Sequence, residues 1–130
     1  MKRFASVIAT ISLAFLGLEA QVTPSHAAKT FNFSSAAAGT CQLRNGVLTI
    51  QSSGQASWTA QVASGGAGGS NNSYCVTFSF NDRNGTQVFK WPRICSPTLY
   101  PVYRPWSRDG LAVPEYLYDT IKTVSRSGSC

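Results

Sequence analysis

The amino-acid sequence predicts an all-β protein: a single antiparallel meander that forms a small β-sandwich or barrel, with one short helix near the C-terminus and two disulfides. Three observations carry this prediction. Apolar and polar residues alternate along much of the chain, as in strands with one buried face. Glycine follows asparagine or serine where such stretches meet, which is typical of hairpin turns. The chain also contains four cysteines, an even number, as disulfide-tied exported domains do.

The N-terminal segment has the organisation of a secretory signal. Lys2 and Arg3 precede an apolar run, and a small-residue cleavage site follows at Ala27. The alternative is a retained membrane anchor, but the run is shorter than the about 20 apolar residues that a spanning helix needs. We therefore expect a signal peptide over residues 1–27, a β-domain over residues 28–130, and a secreted, extracellular or periplasmic location.

The composition of this domain restricts its chemistry. The only histidine, His26, lies inside the predicted signal, so the exported domain has no imidazole for a hydrolytic triad or a metal site. Of the 11 Lys and Arg and 5 Asp and Glu residues, Lys2, Arg3 and Glu19 lie in the signal, which leaves nine basic and four acidic side chains, a net charge of +5. The basic residues are scattered rather than clustered. We expect no nucleic-acid partner, and an anionic envelope or acidic glycan instead.

The four cysteines predict two disulfides, for which three connectivities are open. We favour Cys75–Cys95, which ties a hairpin to the segment leaving it, and Cys41–Cys130, which clamps the C-terminal residue to an early strand. The competing interpretation is a zinc site, but there is no Cys-x-x-Cys pair and no histidine to complete one. The sequence therefore predicts no metal site and no cofactor.

Period-2 patterning places about six strands between Phe31 and Trp91. The clearest of them turns Val76, Phe78 and Phe80 to one face. The inward-facing residues of the other strands are Phe31, Phe33, Leu48, Ile50, Trp58, Ala60, Val62, Phe89 and Trp91. Turn chemistry predicts type I′ hairpin turns at Asn45-Gly46 and Asn84-Gly85, and a similar turn at Ser53-Gly54.

One connection, Ser64 to Ser73, consists of glycine, serine and asparagine with a single alanine. Such a stretch buries no apolar surface and is typical of a flexible connection. It predicts a long hairpin loop, and the alternative is a binding loop whose backbone adapts to a ligand.

After Trp91, five prolines interrupt the strand pattern, and aromatic residues interleave with basic ones. Two interpretations are open: the rings complete the core, or some stay exposed beside arginines as a platform for sugar or peptide. The candidate ligand-binding residues are Trp91, Tyr100, Tyr103, Arg104, Trp106 and Arg108.

The residue pattern of the C-terminal part predicts one helix and one strand. The segment 111–123 fits a short helix that starts near Pro114 and has three inward-facing residues, Tyr116, Leu117 and Ile121. A last strand through Val124 then leads to Cys130.

Catalysis has little support in the sequence. Without histidine the acid and base candidates are carboxylates, and a glycosidase needs two of them facing each other at a fixed separation. Asp109 and Glu115, which bracket a turn, are the one pair to nominate, because Asp82 suits turn geometry and Asp119 a solvated helix position. We assign no catalytic residue.

Several short motifs carry a family resemblance over nearly the whole exported domain. They are a Phe-x-Phe strand, Gly39-Thr40-Cys41, an Asn-Gly hairpin, Ser-Gly-Gln-Ala-Ser-Trp and a C-terminal Ser-Cys ending. With these motifs the chain resembles an uncharacterised family of small secreted bacterial disulfide-containing β-domain proteins. The resemblance implies bacterial secretion, one disulfide-tied β-domain and the Cys41–Cys130 pair, and it implies no catalytic or ligand-binding residue.

The leading functional hypothesis is a secreted, non-catalytic binding module for a glycan or for a protein of an envelope or host surface. The interleaved aromatic and arginine residues on a disulfide-tied scaffold favour it. The alternative is a small secreted inhibitor or competition effector that blocks a partner protein, which the flexible Ser64–Ser73 stretch and the tight disulfide framework favour. A carboxylate-dependent hydrolase is the third hypothesis. We expect a monomer without a transmembrane segment.

Overall fold

The structure, a computed structural model, describes residues 28–65 and 72–130. Within these residues the chain forms strands and one short 3-10 turn, and the all-β class expected from the sequence is confirmed. The strands are β1 (Lys29–Phe33), β2 (Ala36–Ala38), β3 (Cys41–Ile50), β4 (Gln55–Ser64), β5 (Cys75–Asn81), β6 (Gln87–Lys90), β7 (Ile94–Cys95), β8 (Arg104–Ala112) and β9 (Thr123–Ser129). The 3-10 turn is Glu115–Leu117. The predicted signal lies outside the described residues.

The strands form two antiparallel sheets. In the first sheet β1 and β2 pair with the two halves of β3, which pairs with β4, and β4 pairs with the edge strand β8. In the second sheet β5 is central, with β9 along one side and β6 and β7 along the other. Each sheet turns one set of alternating side chains toward a single shared core.

Aromatic rings fill the space between the two sheets. Trp58 of β4 meets Phe78 of β5 edge to face, with the ring centroids 4.9 Å apart. Phe33 of β1 lies against both of these rings. Trp91, which follows β6, packs on Phe80 of β5 at 4.7 Å. Burial of such large rings supplies much of the folding free energy of a domain of this size.

Both disulfides have the connectivity favoured from the sequence. Cys41, at the start of β3, is bonded to Cys130, which follows β9, so this bridge joins the two sheets. Cys75 and Cys95 are bonded across the β5–β7 pair within the second sheet.

The chain is not the single meander that the alternation pattern suggested. Because β4 and β5 lie in different sheets, the segment after Ser64 crosses from one sheet to the other rather than closing a hairpin. Residues 66–71 of that segment lie outside the described part of the chain. The chain later returns to the first sheet in β8 and to the second in β9. Alternation reports which face of a strand is buried, but not which sheet the strand joins.

The three glycine-containing pairs have different roles. Ser53-Gly54 and the Asn84-Gly85 pair close the β3–β4 and β5–β6 hairpins as predicted, but the second turn is not type I′, because Gly85 has a positive φ and Asn84 does not. Asn45-Gly46 does not form a turn: it lies inside β3, where Asn45 has φ 56° and the register with β4 shifts. This is a β-bulge. A Cβ at Gly46 would lie 2.6 Å from the Trp58 ring, so glycine here makes room for the core.

The predicted helix over residues 111–123 is wrong. β8 runs on to Ala112, and only the 3-10 turn follows. Ile121 and, in part, Leu117 are buried as expected, but Tyr116 is 82 % exposed and Tyr118 is buried in its place. The tighter 3-10 turn rotates the residues after Glu115 differently from an α-helix, which moves the buried tyrosine by two positions.

No helix long and apolar enough to cross a membrane occurs in the described ranges.

Candidate binding surface

The structure divides the six candidate ligand-binding residues between the core and the surface. Trp91 and Trp106 are core residues, 5 % and 2 % exposed. The Trp91 indole N–H donates a hydrogen bond of 2.6 Å to the Ala112 carbonyl, and Trp106 packs edge to face on Trp58. Neither indole ring is therefore available as an exposed platform. The four remaining candidates, Tyr100, Tyr103, Arg104 and Arg108, lie at the surface.

Tyr100 and Arg104 form an exposed pair at the start of β8. The Tyr100 ring is 43 % exposed, and the Arg104 guanidinium carbon lies 4.2 Å from its centroid. A guanidinium at this distance from a ring makes a cation–π contact and still keeps N–H donors free for a ligand.

Tyr103 forms a second pair, with a residue that the sequence did not single out. The Arg44 guanidinium carbon lies 3.8 Å from the Tyr103 ring centroid. Arg44 Nε also donates a 2.8 Å hydrogen bond to Gln61 Oε1, and the Tyr103 hydroxyl lies 3.4 Å from Gln42 Oε1. Arg44 precedes the bulge in β3, and no local signal connects it with a residue so far along the chain.

Strand β8 directs Arg104 and Arg108 toward the seam between the sheets. In the β4–β8 ladder Trp106 is opposite Ala60, and side chains alternate along a strand, so both arginines lie on the same side as Trp106. The Trp106 ring is covered and the two arginines are exposed. Charged residues that point inward at an edge strand also discourage unwanted strand pairing.

An open cleft of about 480 Å³ lies where β8 meets the β6–β7 connection. We call it the seam cleft. Arg93 and Arg108 are at its surface, and its apolar lining includes Trp91, Ile94 and Leu111. Arg93 belongs to the interleaved aromatic and basic segment, although it was not among the candidates. No hydrogen bond or ion pair within the described residues engages either guanidinium.

A second depression, of about 350 Å³, lies on the opposite side of β8, and we call it the outer depression. A register shift in the β4–β8 ladder between Ala56 and Trp58 coincides with Gly110, which has φ +74°. Such bulges re-aim neighbouring side chains. The polar residues that line the depression are Thr49, Gln51, Gln55, Ser57 and Asp109. Gly110, Leu111 and Ala112 line both this depression and the seam cleft.

The two carboxylates nominated for hydrolysis do not share this depression. Asp109 lines it, while Glu115 lies exposed in the 3-10 turn and is not part of the lining. Across residues 28–65 and 72–130, no group of three or more His, Cys, Asp or Glu side chains is placed to hold a metal ion.

Two titratable groups with shifted pKa values lie elsewhere and have structural roles. Burial, together with the charge of Lys122, lowers the pKa of Lys29, whose ammonium donates to the Tyr118 and Ile121 carbonyls. Burial raises the pKa of the Tyr74 phenol. Lys29 thus ties β1 to the turn before β9, and neither group reaches the seam cleft or the outer depression.

No family model, no curated protein and no solved structure matches this chain. The resemblance to small secreted bacterial β-domain proteins therefore stays a prediction.

Proposed function

We propose that this protein is an exported, non-catalytic binding module that holds an acidic glycan in the seam cleft. The observation that carries the proposal is the pairing of Arg93 and Arg108, two unengaged guanidiniums, with a cleft whose accessible apolar lining includes Pro92 and Leu111. Guanidiniums bind carboxylates and sulfates through paired N–H donors, and apolar surface suits the C–H faces of a sugar ring.

The charge of the cleft favours an anionic ligand. Its lining contains two arginines and no carboxylate, because Asp109 lines the other side of β8. Arg104, in its stacked pair with Tyr100, lies farther along the same strand and the same side. An extended polyanion lying along β8 would meet these cations in turn.

The surface favours a glycan over a protein partner. A protein interface of standard size covers about 800 Å² per partner and has an apolar, aromatic centre. Among the described residues, the large hydrophobic side chains that are exposed are Tyr100, Val102 and Tyr116. Three such side chains do not make an apolar centre of that size, so a narrow chain ligand suits this surface better than a broad one.

Export is supported by the two disulfides, which persist in oxidising compartments and are rare in the cytosol. The competition-effector alternative shares the disulfide framework with this proposal, and the stretch that would distinguish it includes residues 66–71, which lie outside the described part of the chain. A hydrolase gains none from Asp109 and Glu115, which do not line one cleft.

The test is binding of polygalacturonate, an acidic glycan, by the full chain expressed with export so that its disulfides form. Calorimetric titration of Arg93→Ala and Arg108→Ala is expected to show about tenfold weaker binding for each, because each removes a charge-assisted contact. Affinity should also fall as salt is added. Arg83→Ala, in the β5–β6 turn, removes an equal charge away from the cleft and should have little effect. Equal losses in all three variants would contradict the proposal, and so would an unaltered chain that binds neither this polymer nor an acidic glycan with fewer charges.

A further inference from the structure

We propose that the bound glycan alternates neutral and acidic sugars and crosses strand β8 at Gly110. The neutral sugar lies in the outer depression and the acidic sugar in the seam cleft. This inference rests on the proposed function and names the class of glycan that the site takes.

The outer depression has unused hydrogen-bonding capacity. The side chains of Gln51, Gln55 and Asp109 have no hydrogen-bond partner within the described part of the chain, and the same is true of the hydroxyls of Thr49 and Ser57. The other end of the same sheet face differs, because there the Arg44 and Gln61 side chains engage one another. Amides, hydroxyls and a carboxylate around a small depression match a sugar, which offers several adjacent donors and acceptors.

Asp109 favours an uncharged sugar over an acidic one in this depression. An ionised carboxylate accepts hydrogen bonds from sugar hydroxyls, and such charge-assisted bonds are stronger than neutral ones. The same carboxylate repels the carboxylate or sulfate of an acidic sugar. Leu111, in the same lining, adds apolar surface beside the polar groups. The outer depression therefore suits an uncharged sugar unit.

The two sites are adjacent across one strand. Arg108 lines only the seam cleft and Asp109 only the outer depression, although they are consecutive residues. Gly110 lies between the two sites, and a Cβ built on it would have nothing within 4 Å, so the backbone there is open to a ligand that passes over it. A chain with a charge on every sugar would place one charge against Asp109, whereas an alternating chain places charges only against the arginines.

The experiment compares two polymers by calorimetric titration of the full chain. Hyaluronate alternates a neutral amino sugar with a uronic acid, and polygalacturonate carries an acid on every sugar. We expect hyaluronate to bind about tenfold more tightly per repeating unit. Asp109→Asn should weaken hyaluronate binding and strengthen polygalacturonate binding, because it removes both the strong acceptor and the repulsion. Gln55→Ala should weaken hyaluronate binding alone.

Asp119→Asn is the matched control, because it makes the same change of charge at an exposed position that lines neither site. It should leave the ratio of the two affinities unchanged. If the unaltered chain binds both polymers equally, or if Asp109→Asn leaves the ratio unchanged, the alternating-glycan inference is wrong and the proposed function stands. If the unaltered chain binds neither polymer, the proposed function itself fails.

Discussion

Tyr74 is the residue whose titration bears most directly on stability. It precedes β5, its backbone N–H donates to Ser96 Oγ, and its side chain is fully buried against Gly128, where a Cβ would lie 2.6 Å from the phenol oxygen. Burial raises the pKa of Tyr74 above its ordinary value of 10.0, and the charge of Arg126 opposes that shift only in part. The folded state therefore keeps this proton at a pH where the unfolded state has lost it.

The pH dependence of the unfolding free energy follows from this shift. A raised pKa contributes stability that is fully present below about pH 10 and is lost as pH rises through the folded-state pKa. We expect Tyr74→Phe to reduce the fall in unfolding free energy above pH 10, as measured by urea denaturation at a series of pH values. Tyr116→Phe, at an exposed tyrosine, should leave the fall unchanged. If the unfolding free energy of the Tyr74→Phe variant falls above pH 10 as much as that of the unaltered protein, this account is contradicted. Lys29, whose pKa is lowered, acts in the opposite direction and is present in all three proteins.

At the level of single residues, the sequence predicted which segment contains the candidate surface residues. It did not predict which side chains in that segment point outward. The interleaved aromatic and basic residues after Trp91 do contain the Tyr100–Arg104 pair and the cleft arginines, but the second surface pair joins Tyr103 to Arg44 of β3. They also contain Trp106, which pairing with β4 turns inward, and local composition does not reveal that pairing. The exposure of Tyr116 has a similar origin, since its side-chain direction depends on a 3-10 turn rather than an α-helix.

Two glycines that shape the edge of the first sheet should differ in what they tolerate. Both have positive φ values, +95° at Gly54 and +74° at Gly110. A Cβ at Gly54 would lie 2.3 Å from the Val113 carbonyl oxygen, whereas a Cβ at Gly110 would meet nothing within 4 Å. Gly54 also accepts a hydrogen bond from the Val113 N–H through its carbonyl, which fixes this approach.

We expect Gly110→Ala to lower the unfolding free energy by about 1 kcal/mol, the cost of a left-handed conformation alone. Gly54→Ala should cost more, about 3 kcal/mol or above, because the backbone must also move away from the new methyl group. Urea denaturation of the two variants measures both values. Equal losses would show that the close approach at Gly54 relaxes freely.

The elements show where turn chemistry is informative and where it is ambiguous. An Asn-Gly pair readily provides a residue in the left-handed conformation. Both hairpin turns and β-bulges require such a residue, so the pair alone does not distinguish between them. At Gly85 it closes a hairpin, and at Gly46 it makes room for Trp58 in a bulge. The difference depends on a tryptophan in the neighbouring strand, which only the fold brings near.

At the scale of the whole molecule, the two disulfides should contribute unequally to stability. Cys41–Cys130 spans 89 residues of sequence and Cys75–Cys95 spans 20. From loop-closure entropy in the unfolded chain, the first is worth about 4.6 kcal/mol and the second about 3.3 kcal/mol. Replacing both cysteines of a pair by serine avoids a free thiol, so the two double variants can be compared directly by urea denaturation. A larger loss from the shorter loop would contradict the entropic argument and point to packing around Cys75 instead.

The connection between the sheets is what the sequence could not predict. Strand alternation and cysteine parity are local or compositional, and they predicted the class and the number of bridges. The partners of a strand depend on burial across the whole core, so the crossover after Ser64 and the return of β8 and β9 had no local signal.

The bridge between the sheets also constrains the order in which the protein matures. A chain is synthesised from its N-terminus, so Cys41 emerges before Cys75 and Cys95, and its native partner Cys130 emerges after both. Strand β9, which pairs with the full length of β5, also emerges late in synthesis. If Cys41 is oxidised before Cys130 emerges, it can form a disulfide only with a non-native partner. Correct maturation requires that this thiol stay reduced until Cys130 emerges, or that a mismatched bond be exchanged afterwards by thiol–disulfide isomerisation.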